Sequence, residues 1–133
     1  MSINLCRAAG EIQLKALPGL DPALVALPGI AFTKPSPAVL FFRYDFIPTG
    51  SWRALGDPSK RFYRGIFQIT PCAPAGKGLA ALTMAVDAVI AQFGHQRLIQ
   101  GGVTLDTEDA NPGPVNTETD WVSCPVSIAF ETR

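Results

Sequence analysis

The stretch Tyr63-Arg64-Gly65-Ile66-Phe67-Gln68-Ile69 alternates between two side-chain sets, and Pro74-Ala75-Gly76-Lys77-Gly78 follows it. Alternation with a period of two specifies a strand, and proline with paired glycines specifies a tight reversal. Leu79, Leu82, Val86, Val89, Ile90 and Phe93 then recur at helical spacing, so residues 79–93 read as a helix ended by Gly94. Tyr63, Gly65, Phe67 and Ile69 form the clean apolar face of the strand. Ala80, Ala81 and Ala85 keep the helix slim enough to lie close upon it. This strand–turn–helix unit sets the centre of the fold.

The other elements assemble around it. Residues 2–17 read as a helix with Ser2 as N-cap and Pro18-Gly19 as its stop; its stripe is Leu5, Ala9, Ile12 and Ala16, joined by Ala8 and Leu17. Residues 18–38 carry Pro18, Pro22, Pro28, Pro35 and Pro37, which forbid a continuous helix and favour an extended arm. Leu20, Leu24, Val25, Leu27, Ile30 and Phe32 make that arm apolar, so it lies either on its own core or on a neighbouring subunit. Residues 39–47 and 62–70 are strands, 97–107 a third and 119–130 a fourth. Gly101-Gly102 marks a bulge or close backbone approach in the third, and Pro125 an edge or bulge in the fourth. Residues 48–61 and 108–118 read as long loops, and Trp52 in the first is either a lid on the core or an interface anchor. Residues 1–133 thus form one α+β domain: a four-stranded, mainly antiparallel sheet in α-β-β-α-β-β order, with two helices on one face.

Both central strands have a second face that is neither apolar nor solvated. On residues 39–47 it is Val39, Phe41, Arg43, Asp45 and Ile47; on 62–70 it is Phe62, Arg64, Ile66, Gln68 and Thr70. A solvated sheet face carries polar residues throughout. Charges on a semi-buried face need partners. Arg43, Asp45, Arg64 and Gln68 therefore either pair across strands within the chain or meet a second subunit, and the apolar neighbours favour the subunit boundary.

Composition narrows the chemistry. Formal net charge is zero and the isoelectric point is near 6.5, so no basic surface excess grips nucleic acid. No run of about 18 apolar residues is present and no signal-peptide pattern opens the chain, which points to a cytosolic product. Cys6, Cys72 and Cys124 are odd in number and scattered, the pattern of small buried hydrophobes. His95 is the single histidine, follows a helix-ending glycine, and reads as capping or solvated. Asp106, Glu108, Asp109, Glu118 and Asp120 lack the regular alternation of a calcium loop. Gly76-Lys77-Gly78 lacks the phosphate-loop arrangement, since Leu79 stands where Ser or Thr would meet magnesium. The expectation is no catalytic residue, no metal and no cofactor. The reading from a different class, a small metal-dependent hydrolase, would have to use the acidic loop.

The ordered set Tyr63, Arg64, Gly65, Phe67, Gln68, then Pro74, Gly76, Gly78, then Phe93 resembles the small tail-terminator-like proteins of long-tailed bacteriophages. The Met-Ser-Ile-Asn opening and the Ala16-Leu17-Pro18-Gly19 turn resemble the same family, and the likeness runs over nearly the whole chain. The resemblance implies a non-enzymatic virion protein at the head-proximal end of the tail. It implies a ring, expected to be a hexamer, that caps the tail tube, ends its polymerisation and meets the head-completion or connector protein. DNA would pass only through the lumen. Another neck or head–tail joining subunit is the alternative within that class. Tyr63, Gly65, Phe67, Gly76, Gly78 and Phe93 are then fold-determining, Arg43, Asp45, Trp52, Arg64 and Gln68 are interface residues, and the two long loops contact partners above and below the ring.

Overall fold

The strand centred on Phe67 is twice as long as its alternation predicts. In the computed structural model, which describes residues 3–35 and 38–133 apart from the side chains of 57–59, helix α1 is Ile3–Lys15 and a 3-10 turn, Pro22–Leu24, leads into β1 (Val25–Ala26). β2 (Phe41–Ala54) and β3 (Asp57–Pro74) form one long hairpin, followed by α2 (Ala80–Phe93), β4 (Arg97–Gln100) and β5 (Val103–Pro112). Short β6 (Asn116–Thr117) and β7 (Trp121–Ser123) precede β8 (Val126–Thr132). The order across the sheet is β1-β2-β3-β8-β5-β4, with β7 continuing β8 along β3 and carrying β6. Among the described residues only β1 and β2 run parallel. Among the described residues no helix is long and apolar enough to cross a membrane.

The expected α+β class holds, but the sheet has eight strands rather than four and the element order is longer. Three local causes account for the difference. Gly101 and Gly102 take φ of 56° and 84° and make a two-residue hairpin turn, splitting the predicted third strand into β4 and β5. Pro125 has no N–H for the ladder, so the predicted fourth strand breaks into β7 and β8 in the sheet interior rather than at its edge. The predicted loop 48–61 is the outer half of the β2–β3 hairpin, turning at Leu55-Gly56 with Gly56 at φ 82°. The predicted loop 108–118 is likewise mostly strand, since β5 runs to Pro112 through a register irregularity between Thr107 and Ala110. β3 continues through Cys72 to Pro74, and Gly76 and Gly78, at φ 84° and 77°, turn it into α2.

Both helices lie on one face of the sheet, and α1 lies there because of a residue its stripe omits. Ile12 is half exposed, whereas Cys6, Ala9, Gly10 and Leu14 are buried. A Cβ on Gly10 would stand 2.5 Å from Tyr44 Oη and 2.6 Å from the Phe67 ring. The helix therefore seats its glycine directly on two rings. Tyr44 Oη donates to the carbonyl of Arg7 at 2.9 Å, and burial keeps its hydroxyl protonated far above the ordinary range. Phe67 stacks on Phe130 with centroids 4.5 Å apart and meets Tyr44, Phe46 and Phe93 at 6.1–6.3 Å. Ser2, expected to cap α1, lies outside the described residues.

The helix ends are tied to each other and to β5. Gln13 Nε2 donates to the carbonyl of Gln92 at 2.7 Å, and Gln92 Nε2 donates to the carbonyl of Gln13 at 2.9 Å. Each amide thus satisfies a C-terminal carbonyl of the other helix, which has no partner within its own. Thr107 Oγ1 donates to the carbonyl of Phe93 and accepts the N–H of Gln96, anchoring the end of α2 on β5. The proline-rich segment folds onto its own chain. Val25 is buried in the core, and Phe32 crosses to the opposite sheet face against Phe41, 5.2 Å between centroids.

Two substitutions test this packing. Gly10→Ala gains about 1 kcal/mol of helix propensity but forces a methyl into two packed rings, so a net loss of about 1–3 kcal/mol is expected in urea unfolding. Equal or higher stability would mean that α1 stands off the sheet. Gly65→Val is expected to cost at least as much, because any Cβ there meets the carbonyl oxygen of Ile47 at 2.7 Å and the Phe130 ring at 2.8 Å. An unchanged melting temperature would place Gly65 on the other face.

Candidate subunit interface

With α1 and α2 on one side, the other side of the sheet has no helix among the described residues. Strand parity puts Arg43, Asp45 and Ile47 of β2 there, with Phe62, Arg64, Ile66 and Gln68 of β3 and Ser127, Ala129 and Glu131 of β8. Phe32 and Trp121 cover only the end at Phe41. Asp45 stands opposite Gln68, Ile47 opposite Ile66, and Arg64 opposite Glu131. The face is half apolar: Ile47 is exposed while Ile66, Gln68, Ser127 and Ala129 are half-buried.

Trp52 joins this face through a register shift. One residue of β2, Thr49, has no partner between Pro48↔Gly65 and Gly50↔Arg64, which moves Trp52 opposite Phe62. Its ring stacks on Phe62 at 5.7 Å, and the Arg64 guanidinium lies 4.7 Å over it. Lys60 sits 5.4 Å over the far side of the pair, on the Phe62 ring. Arg43, Asp45, Trp52, Arg64 and Gln68, taken from two strands and a supposed loop, thus share one surface.

Arg64 pairs across strands within the chain, with a residue outside this set. Arg64 Nη2 meets Glu131 Oε1 at 3.3 Å, both side chains about half exposed (53% and 51%). Among the described residues, Arg43 and Asp45 form no ion pair. Glu131 was not singled out from sequence; only the register of β8 on β3 reveals it.

Beyond Arg64, β3 loses β8 as a neighbour and the hairpin continues alone. The change occurs at Tyr63, whose N–H donates to Thr132 Oγ1 at 2.8 Å in place of a ladder bond. From there the ribbon extends about 20 Å at strand rise. Its tip residue Leu55 is fully exposed. Arg53 and Arg61 face each other across the ribbon, and Arg61 Nη1 donates to Ser51 Oγ at 3.1 Å. Gly56 beside Leu55 is the one sequence signal for this turn, while Gly50 and Pro58 on either side have the composition of a loop.

The acidic residues do not converge. Asp106 takes Arg97 Nε at 3.0 Å and Arg133 Nε, and these hydrogen bonds hold its carboxyl below the ordinary range. Asp109 meets His95 Nε2 on an exposed surface, where His95 holds a left-handed φ of 52°. Among the described residues no group of three or more His, Cys, Asp or Glu side chains is placed to share a metal ion. Cys6, Cys72 and Cys124 are buried free thiols, and burial raises the pKa of each.

No curated protein matches the chain. One solved structure superposes on all of this chain and 96% of its own, with a TM-score of 0.78 and 29% sequence identity. The family model described as phage tail terminator protein matches residues 5–130, and the chain therefore belongs to the phage tail terminator family, with a structural role in the phage tail.

Proposed function

We propose that this chain is the subunit of a closed ring, a hexamer by the family expectation, that caps the tail tube at its head-proximal end. The ring ends polymerisation of the tube protein and presents a surface to the head-completion protein, and DNA passes through its lumen. It works by shape and recognition rather than by catalysis. The observation that carries this reading is the uncovered, half-apolar sheet face shared by Arg43, Asp45, Trp52, Arg64 and Gln68. A closed ring repeats one heterologous contact, so each subunit needs two different adhesive surfaces. The open face, continued by Trp52 and Phe62 into the β2–β3 hairpin, is one of them.

Arg64→Glu tests the assignment. In the isolated chain the Arg64–Glu131 pair is half exposed and contributes roughly 0–1 kcal/mol, with a similar amount from the contact on Trp52. The monomer should therefore keep its circular dichroism and lose little stability. Reversing a charge that becomes desolvated at a subunit contact costs about 2–5 kcal/mol at each contact. Assembly should fail, leaving tails of uncontrolled length with few heads attached. Normal tail length and infectivity from a folded Arg64→Glu protein would remove this face from the ring contact.

A further inference from the structure

The second adhesive surface lies at the opposite end of the molecule from the hairpin tip. Where β2 begins, the proline-rich segment and α2 enclose an apolar groove of 520 Å³. Leu17, Leu20, Leu24, Val39, Met84 and Ala88 line it, and Asp21 is the charged residue on its wall. Met84 is 71% exposed and stands outside the hydrophobic core of its own chain. Asp87, exposed on α2, follows Met84 by three residues and so flanks it on the helix surface.

The hairpin complements this groove in polarity and charge. A two-stranded ribbon standing alone is marginally stable and needs a surface to pack on. Its tip is one fully exposed leucine. Behind the tip, Arg53 and Arg61 stand directly opposite each other, an arrangement of like charges that opposes folding of the ribbon. Residues 50–64 hold Arg53, Lys60, Arg61 and Arg64 against the single acid Asp57, in a chain whose net charge is zero. An apolar knob with a basic collar therefore sits at one end of β2, and an apolar groove with Asp21 and Asp87 about it at the other. Knob and groove differ, so their contact is head-to-tail, as a ring requires.

We propose that the tip of the β2–β3 hairpin, led by Leu55, seats in the groove between residues 17–24 and α2 of the next copy of the chain. This rests on the ring reading above and names the two surfaces that meet.

The test uses the full chain with Leu55→Cys and Met84→Cys made separately, the native thiols being buried. Under mild oxidation the two variants mixed should give a covalent dimer, and neither alone should. The double variant should give a ladder that stops at the ring size found for the wild type by sedimentation. Leu55→Asp should weaken assembly about tenfold or more, as loss of a central apolar anchor does. Wild-type rings without the mixed cross-link would overturn the docking and leave the ring standing. Cross-linking of Leu55→Cys to itself, or to a tube subunit in assembled tails, would overturn it as well. A ladder with no stopping point would support the docking and overturn the closed ring. A wild type monomeric at its highest soluble concentration, with no mixed cross-link, would overturn both.

Discussion

The seat of Gly10 on Tyr44 and Phe67 decides how this molecule divides its surfaces. Without a Cβ at that position, α1 descends onto the rings, and the reciprocal Gln13–Gln92 bonds then hold α2 beside it. Phe67 gathers Tyr44, Phe46, Phe93 and Phe130 on the same side. Both helices and most of the aromatic mass are thereby committed to one face. The opposite face keeps Ile47, Ile66 and Ala129 among polar side chains with only Phe32 and Trp121 over one end. What stabilises the subunit is also what leaves it with a surface to share.

The legible parts of the fold were those whose periodicity is long and whose turn chemistry is unambiguous. The strand around Phe67, the Gly76 and Gly78 turn and the α2 stripe from Leu82 to Phe93 lie where their spacing puts them; Leu79, expected on that stripe, precedes the helix and is exposed. Two-sided burial of the central strands was legible as a half-apolar second face, and from it came Arg43, Asp45, Arg64 and Gln68. The α1 stripe was placed about one position off: it took Ile12 in place of Leu14, and it omitted Gly10, which has no side chain to weigh in a pattern yet controls the approach of the helix. The hairpin arm was hidden by Gly50 and Pro58, which are loop residues by composition, and by the register shift at Thr49, which breaks the alternation that would have put Trp52 opposite Phe62. Glu131 and Thr132 act through cross-strand register, a long-range property that no local spacing encodes.

Zero net charge conceals a polarised molecule. The hairpin arm is basic, the apolar groove carries Asp21 on its wall, and the ion pairs inside the chain are mostly short-range or exposed. Exposed pairs add little to the stability of one chain, yet the same groups give direction to an encounter between chains. Surfaces that complement each other but not themselves would favour the head-to-tail contact proposed above over pairing of like faces.

The most direct measurement is a cryo-electron microscopy map of the head-proximal end of intact tails carrying this protein. The account predicts a closed ring on the last tube layer, with the face bearing Arg64 and Gln68 and the hairpin from Gly50 to Arg64 buried between neighbouring copies. A ring whose subunits meet elsewhere, leaving that face and hairpin in solvent, would contradict it.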